Sequence, residues 1–196
     1  MMSNFLETAD RSLLLAINGL HSPFFDHLMW ILSAKLAWIP VAILILYLAY
    51  SKLSTPYFVR FLCVAIGVVI IADVLSVSLL KETIQRYRPS HNLEIQHCLH
   101  LHINEDGTVY RGGKFGFVSS HATNFWAIAC MAILSLGKHV SWFKWFMIGI
   151  ASVVCYSRVY LGVHYPSDVL FGALFGSFIA YTSDYFLLKP KRMLKH

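Results

Sequence analysis

Apolar residues fall in long blocks along this chain, separated by short polar stretches. Five blocks, near 28–50, 61–80, 117–137, 140–160 and 167–188, are each able to cross a hydrocarbon core of about 30 Å as a helix of roughly 20 residues. Upstream, Leu6, Ala9, Leu13, Ile17 and Leu20 recur at helical spacing among polar neighbours. That pattern predicts an amphipathic helix over 3–20, lying on the membrane or docked on the bundle. The expected fold class is all-α: a polytopic membrane helical bundle of about five transmembrane helices plus an N-terminal amphipathic helix. No repeat, low-complexity tract or linker divides the chain. Residues 1–196 are therefore expected to form a single domain, with 1–26 as the interfacial helix and 81–116 as a long loop.

Composition supports the membrane reading. Hydrophobic residues make up 57% and charged residues 13%, against roughly 25% charged in a soluble domain. The first 26 residues hold Glu7, Asp10 and Arg11 and lack a basic stretch running into an apolar one. They do not read as a cleaved signal. Three of the four cysteines lie in apolar runs and only Cys98 lies in a loop, so neither a disulfide framework nor a CxxC metal signature is present.

Charge placement sets the expected orientation. Segments 51–60, 137–144 and 189–196 carry Lys or Arg and no acid, whereas 1–27 and 81–116 carry both signs. By the positive-inside rule the all-basic segments face the cytoplasm and the 81–116 loop faces outward. KETIQRYRP (81–89), VSSH (118–121) and SRVYLGVHYPSD (157–168) then meet at the outer boundary. Topology alone gathers Lys81, Arg88, Ser119, Ser120, His121, Arg158, His164 and Asp168.

That set has the chemistry of an anion site. Arginine forks match phosphate oxygens in pairs, and a helix start offers unpaired N–H groups and a positive dipole end. Fixed positive groups would stabilise the charge spread over a phosphoryl group in transfer. A neutral imidazole is a competent nucleophile when a carboxylate holds its other nitrogen. His164 suits the nucleophile, Asp168 its partner, and His121 the general acid. Activity is expected to be bell-shaped in pH, with His164 neutral and His121 protonated. No metal or other cofactor is expected, because Lys and Arg supply the countercharge. Taken singly, Asp168 is a helix-start acid, Arg158 a headgroup ligand, Lys81 and Arg88 boundary cations, and His121 a helix contact. All of these must hold at once to remove the site.

At these residues the sequence resembles the type-2 phosphatidic acid phosphatase superfamily, which includes the vanadium haloperoxidases. Its three motifs are K-x6-RP, PSGH and SR-x5-H-x3-D. The first is met by Lys81, Arg88 and Pro89, and the third by Ser157, Arg158, His164 and Asp168. The middle one is degenerate, with Val118 for Pro and Ser120 for Gly, while Ser119 and His121 match. The resemblance implies a metal-independent helical-bundle lipid phosphatase with His164 as nucleophile, Asp168 as its partner and His121 as acid. Lys81, Arg88, Ser119, Ser120 and Arg158 would bind phosphate. It implies a lipid phosphate partner in the bilayer: phosphatidate, phosphatidylglycerol phosphate, undecaprenyl diphosphate or lipid A. It also implies a bacterial inner-membrane enzyme facing the periplasm, with no nucleic-acid partner.

Other residues admit plainer roles. HNLEIQHCLHLH (91–102) holds four His and a Cys at spacings that fit no standard metal motif. It is expected to pack over the site or on the membrane surface as a short extended or membrane-dipping segment, and to shape headgroup selection. Asp73 suits a hydrogen bond between spans, Arg86 a headgroup contact, and Gly172 with Gly176 close helix packing within the bundle. Two rivals stand: a vanadium-dependent haloperoxidase, against which a lipid-facing mouth argues, and a non-catalytic lipid-phosphate binding or transport protein, which the degenerate VSSH keeps open.

Overall fold

Prolines mark where the helices begin. Pro23, Pro40, Pro56 and Pro166 each occupy the first turn of a helix, where the missing N–H costs no hydrogen bond. The computed structural model describes residues 2–188. Its elements are α1 (Met2–Asn18), α2 (Pro23–Ser33), α3 (Ile39–Lys52) and α4 (Thr55–Val74). A π-helical stretch, Leu75–Lys81, carries α4 on into the single turn α5 (Glu82–Ile84). After an irregular segment come α6 (Ser120–Leu136), α7 (Phe143–Tyr160) and α8 (Pro166–Ser183).

Three helical runs, Lys35–Lys52, Thr55–Ile84 and Pro166–Leu188, are long and apolar enough to cross a membrane. The apolar helix α6 is shorter, at 17 residues, and α7 carries Lys144 and Arg158 within its length. Large apolar side chains such as Ile43, Leu46, Ile66, Ile70, Leu174 and Phe178 point outward, a surface suited to lipid rather than water.

Two expected boundaries are corrected. The block at 28–50 is not one helix: the chain leaves helical geometry at Ala34 and passes through a 3-10 turn, Lys35–Trp38, before α3. Pro40 was a helix-start signal that the running hydropathy passed over. Likewise 1–26 is not one interfacial element, because Ser22 caps Pro23–Ser33 by accepting from Phe25 N at 3.4 Å. Lys35 does stand at one end of its span, exposed at the break.

The N-terminal helix uses both of its faces. The expected apolar stripe is largely turned outward, with Leu6, Ala9, Leu13 and Leu20 exposed. The buried stripe is offset by one position and comprises Asp10, Leu14 and Asn18. The helix thus docks by its polar side, where each buried polar group finds a partner, and keeps an apolar side free.

At the centre, α6 packs against α3, α4, α7 and α8. Its approach to α8 is set by glycine: a Cβ on Gly176 would lie 2.1 Å from the Thr123 carbonyl oxygen, and one on Gly172 2.7 Å from that of Ser119. The GxxxG pair therefore brings two backbones together inside the bundle. Asn124 donates to Asp73 Oδ1 at 2.9 Å, the bond between spans expected for that acid. Residues 91–102 differ from expectation. They fold through two 3-10 turns, Pro89–His91 and Gln96–Cys98, with Ile95 buried while Leu93 and Ile103 face out. Burial of Ile95 against Leu14 and Tyr165 breaks the alternation an extended segment would need.

Candidate active site

Lys81 reaches the site because of the π-helical stretch before it. Residues five apart point about 140° from one another on an α-helix, whereas the wider π turn brings them to one side. Ser76 and Lys81 accordingly both bond the hydroxyl of Ser120, at 3.0 Å and 2.8 Å. Ser120 opens α6 behind the N-cap Ser119. Its backbone is not among those with positive φ, so serine fits where the family motif has glycine. The N–H groups of Ser120 and His121 lie in the first turn, where a helix provides no carbonyl partner. His121 also lines a cavity of 270 Å³ together with Lys35, Trp38, Asn124 and Phe125.

Arg88 is delivered by a short antiparallel pairing of 86–88 with 114–116. Its N–H donates to Lys114 O at 3.1 Å, and Gly116 N donates to Arg86 O at 2.8 Å. The guanidinium donates to the carbonyls of Phe115 at 3.1 Å and Val163 at 3.2 Å, and its Nη1 lies 2.8 Å from His164 Nε2. Two glycines make room for it. A Cβ on Gly112, whose φ is +66°, would sit 3.0 Å from Arg88 Nη1, and one on Gly116 would sit 2.8 Å from Asp168 Oδ2.

The arginine contact fixes the histidine tautomer. A guanidinium only donates, so Nε2 of His164 carries the lone pair and a neutral ring holds its proton on Nδ1. That nitrogen faces Asp168 Oδ2 at 3.5 Å, a separation longer than a hydrogen bond of good geometry. The carboxylate is positioned by Tyr165 N, which donates to Oδ2 at 3.0 Å. His164 is 1% exposed. Burial, then the positive groups of Arg88, Arg158 and Lys81, hold its pKa well below the ordinary 6.5. Burial and the neighbouring Arg158 draw Arg88 down to about 10, still protonated at neutral pH.

Arg158 is 2% exposed. It donates to the Ser33 hydroxyl and, at 3.2 Å, to the Tyr110 hydroxyl. Its Nε and the Nδ1 of His164 are buried without a hydrogen-bond partner. Among the described residues no carboxylate pairs with Arg88 or Arg158 in a salt bridge. Buried cations left in this state favour an anion as the missing partner. All eight residues expected from the sequence occupy this end of the bundle. Ser119 is the least direct: it caps α6, and its N–H donates to Asp168 O at 3.0 Å.

Sequence reasoning missed several supports. Arg86 is not a free headgroup contact; it bridges Asp168 Oδ1 at 2.8 Å and Asp10 Oδ2 at 2.6 Å, and stacks over Tyr165 at 4.1 Å. Asp10 in turn accepts from Ser167 N at 2.8 Å and from the Ser167 hydroxyl. The one available signal was an acid inside the stripe of α1. Because Arg86 touches the candidate catalytic residues only through Asp168, Arg86→Gln is expected to lower kcat by about tenfold with little change in KM. Steady-state kinetics beside Asp10→Asn, expected to shift kcat the same way by a smaller factor, check this.

A helical membrane bundle with this histidine–carboxylate–arginine cup defines a class of membrane phosphatase. The chain belongs to the PAP2 superfamily, whose model matches residues 58–191. It is 34% identical over 177 residues to a lipid A 4′-phosphatase of Bacteroides thetaiotaomicron, covering 90% of this chain and 76% of that one. It is 31% identical over 180 residues to a lipid A 4′-phosphatase of Porphyromonas gingivalis, covering 90% and 72%. The crystal structure of a transmembrane PAP2-type phosphatidylglycerolphosphate phosphatase from Bacillus subtilis shares the fold, with a TM-score of 0.67 at 23% identity over 98% of this chain and 89% of that one.

Proposed function

We propose that this membrane phosphatase removes phosphate from a lipid of the lipid A class through a phosphohistidine intermediate. The observation that carries the mechanism is the 2.8 Å approach of Arg88 Nη1 to His164 Nε2. It places the lone pair on Nε2, and a bound phosphoryl group that draws the guanidinium onto its own oxygens frees that lone pair for attack. His164 Nε2 attacks phosphorus and the bond to the leaving oxygen breaks. His121 gives that oxygen a proton. Asp168 accepts a hydrogen bond from Nδ1–H, keeps its negative charge and so stabilises the positive ring. Lys81, Arg88, Arg158, Ser119, Ser120 and the start of α6 hold the phosphoryl oxygens. Water then attacks the phosphohistidine and gives a proton to His121, which releases phosphate and restores both imidazoles. None of these steps calls on a metal.

The lipid assignment rests on the two relatives named lipid A 4′-phosphatase and on the outward apolar surface. In this reading residues 1–196 are one domain, and α3, α4, α6, α7 and α8 are five spans. The 81–116 loop and the cup face the periplasmic side of a bacterial inner membrane, as the basic segments on the other side favour. The acyl chains lie against the cavity beside His121.

The test is release of phosphate by the purified chain from lipid A, phosphatidate, phosphatidylglycerol phosphate and undecaprenyl diphosphate. The highest kcat/KM is expected on lipid A; a tenfold preference for another substrate overturns the assignment while leaving the chemistry intact. The protonation of His164 is checked separately. Since its pKa is lowered, the ring stays neutral as pH falls through the usual histidine range and takes up a proton only below it. Histidine-labelled NMR is expected to show the resonance missing from His164→Ala unshifted between pH 8 and about 6.

A further inference from the structure

Away from the cup, three side chains from distant parts of the chain converge at the turn between α1 and α2. They are His21 in that turn, Asp26 in the first turn of α2, and His100 in the loop that follows the Gln96–Cys98 turn. We propose that they form a seat for a zinc-class divalent cation, with its fourth position open to water. Their candidate ligand atoms all lie within 4.8 Å of one another. The two imidazoles are stacked with centroids 3.9 Å apart and planes 8° from parallel, and His100 Nε2 lies 2.9 Å from Asp26 Oδ2. Two imidazole nitrogens and a carboxylate oxygen are a donor set that suits zinc.

The surroundings hold two of the three ligands in place. Tyr160 donates its hydroxyl to Asp26 Oδ1 at 2.7 Å, so the other carboxylate oxygen is turned toward the histidines. Asn18 clamps the His100 backbone on both sides: its Oδ1 accepts from His100 N at 2.8 Å, and its Nδ2 donates to His100 O at 2.8 Å. The same Nδ2 donates to Tyr160 O at 2.7 Å. Outer partners of this kind are what fixes a metal ligand's orientation. His21 is exposed and is free to splay from the stack so that its lone pair converges with that of His100. The loop's own spacing, HxxHxH with a Cys, fits no metal motif; the fold supplies the other two ligands from outside it.

The cation would act as a staple. It would tie the loop to α2 beside Leu99 and Leu101, and these lie against Gly162, two residues before His164. The cation therefore braces the wall of the catalytic loop without touching the phosphate.

The test uses the untagged full chain in detergent, stripped with chelator and titrated with zinc by calorimetry. About one zinc per chain is expected, with Tm rising by several degrees on binding. Cobalt in place of zinc is expected to give the visible absorption of a four-coordinate site. His100→Ala and Asp26→Asn are expected to weaken binding at least tenfold. So is His21→Ala, whose exposed ring leaves the Asp26–His100 bond intact and the fold in place. His97→Ala is expected to bind as the wild type does. Absence of stoichiometric binding, or equal zinc retention in all three ligand variants, overturns the proposal. Neither result depends on phosphatase activity.

Discussion

Replacing His164 by Ala is expected to abolish phosphate release, by at least about 10⁴-fold in kcat, with substrate binding retained. The size of the loss follows from the cup's division of labour. In the proposed mechanism Lys81, Arg88 and Arg158 bind and polarise phosphate but offer no lone pair, because ammonium and guanidinium groups only donate. His164 Nε2 supplies that lone pair beside the guanidinium of Arg88. Rapid quenching of the wild type with labelled lipid is expected to trap an acid-labile phosphoprotein that the variant lacks. A variant within tenfold of the wild type would remove His164 from the nucleophile's role. Retention of the cooperative melting transition separates chemical loss from unfolding.

Arg158→Met is expected to cut kcat/KM by at least about a hundredfold while leaving Tm unchanged or higher. Arg158 is 2% exposed, its Nε has no partner, and no described carboxylate faces it. A buried charge in that state opposes folding, and an apolar side chain of similar volume is often neutral or stabilising in its place. Its hydrogen bonds to Ser33 and Tyr110 offset part of that cost, so the gain is modest. In the proposed mechanism the cation's value lies in the phosphoryl complex, where its charge is matched. Thermal unfolding and kinetics on one preparation check both halves. A large fall in Tm would make the residue structural, and activity within threefold would place it outside the phosphate cradle. The opposed signs are those of a group kept for function at the expense of stability.

The proposed catalytic set was legible because its members lie in short, rigid stretches. His164 and Asp168 are four residues apart at a helix start, and Ser119 to His121 are adjacent at another. The supports were not legible. Arg86 and Asp10 are 76 residues apart, and nothing in either neighbourhood names the other. Ser33 was hidden inside an apolar block that hydropathy treated as one helix, although Pro40 marked the division. Lys81 was identified by its motif, but the π-helical stretch that turns it toward Ser120 leaves no simple sequence mark. The outward stripe of α1 was correctly read as apolar; that its polar stripe would do the docking depended on partners far along the chain.

The glycine-lined seam between α6 and α8 has a mechanical consequence. The Ser119 and Thr123 carbonyls abut Gly172 and Gly176, and Ser119 N is bonded to Asp168 O. The end of α6 that bears His121 and the end of α8 that bears Asp168 are thereby clamped into one stiff anvil. His121 and Asp168 are therefore expected to keep their mutual register when a headgroup enters beside them.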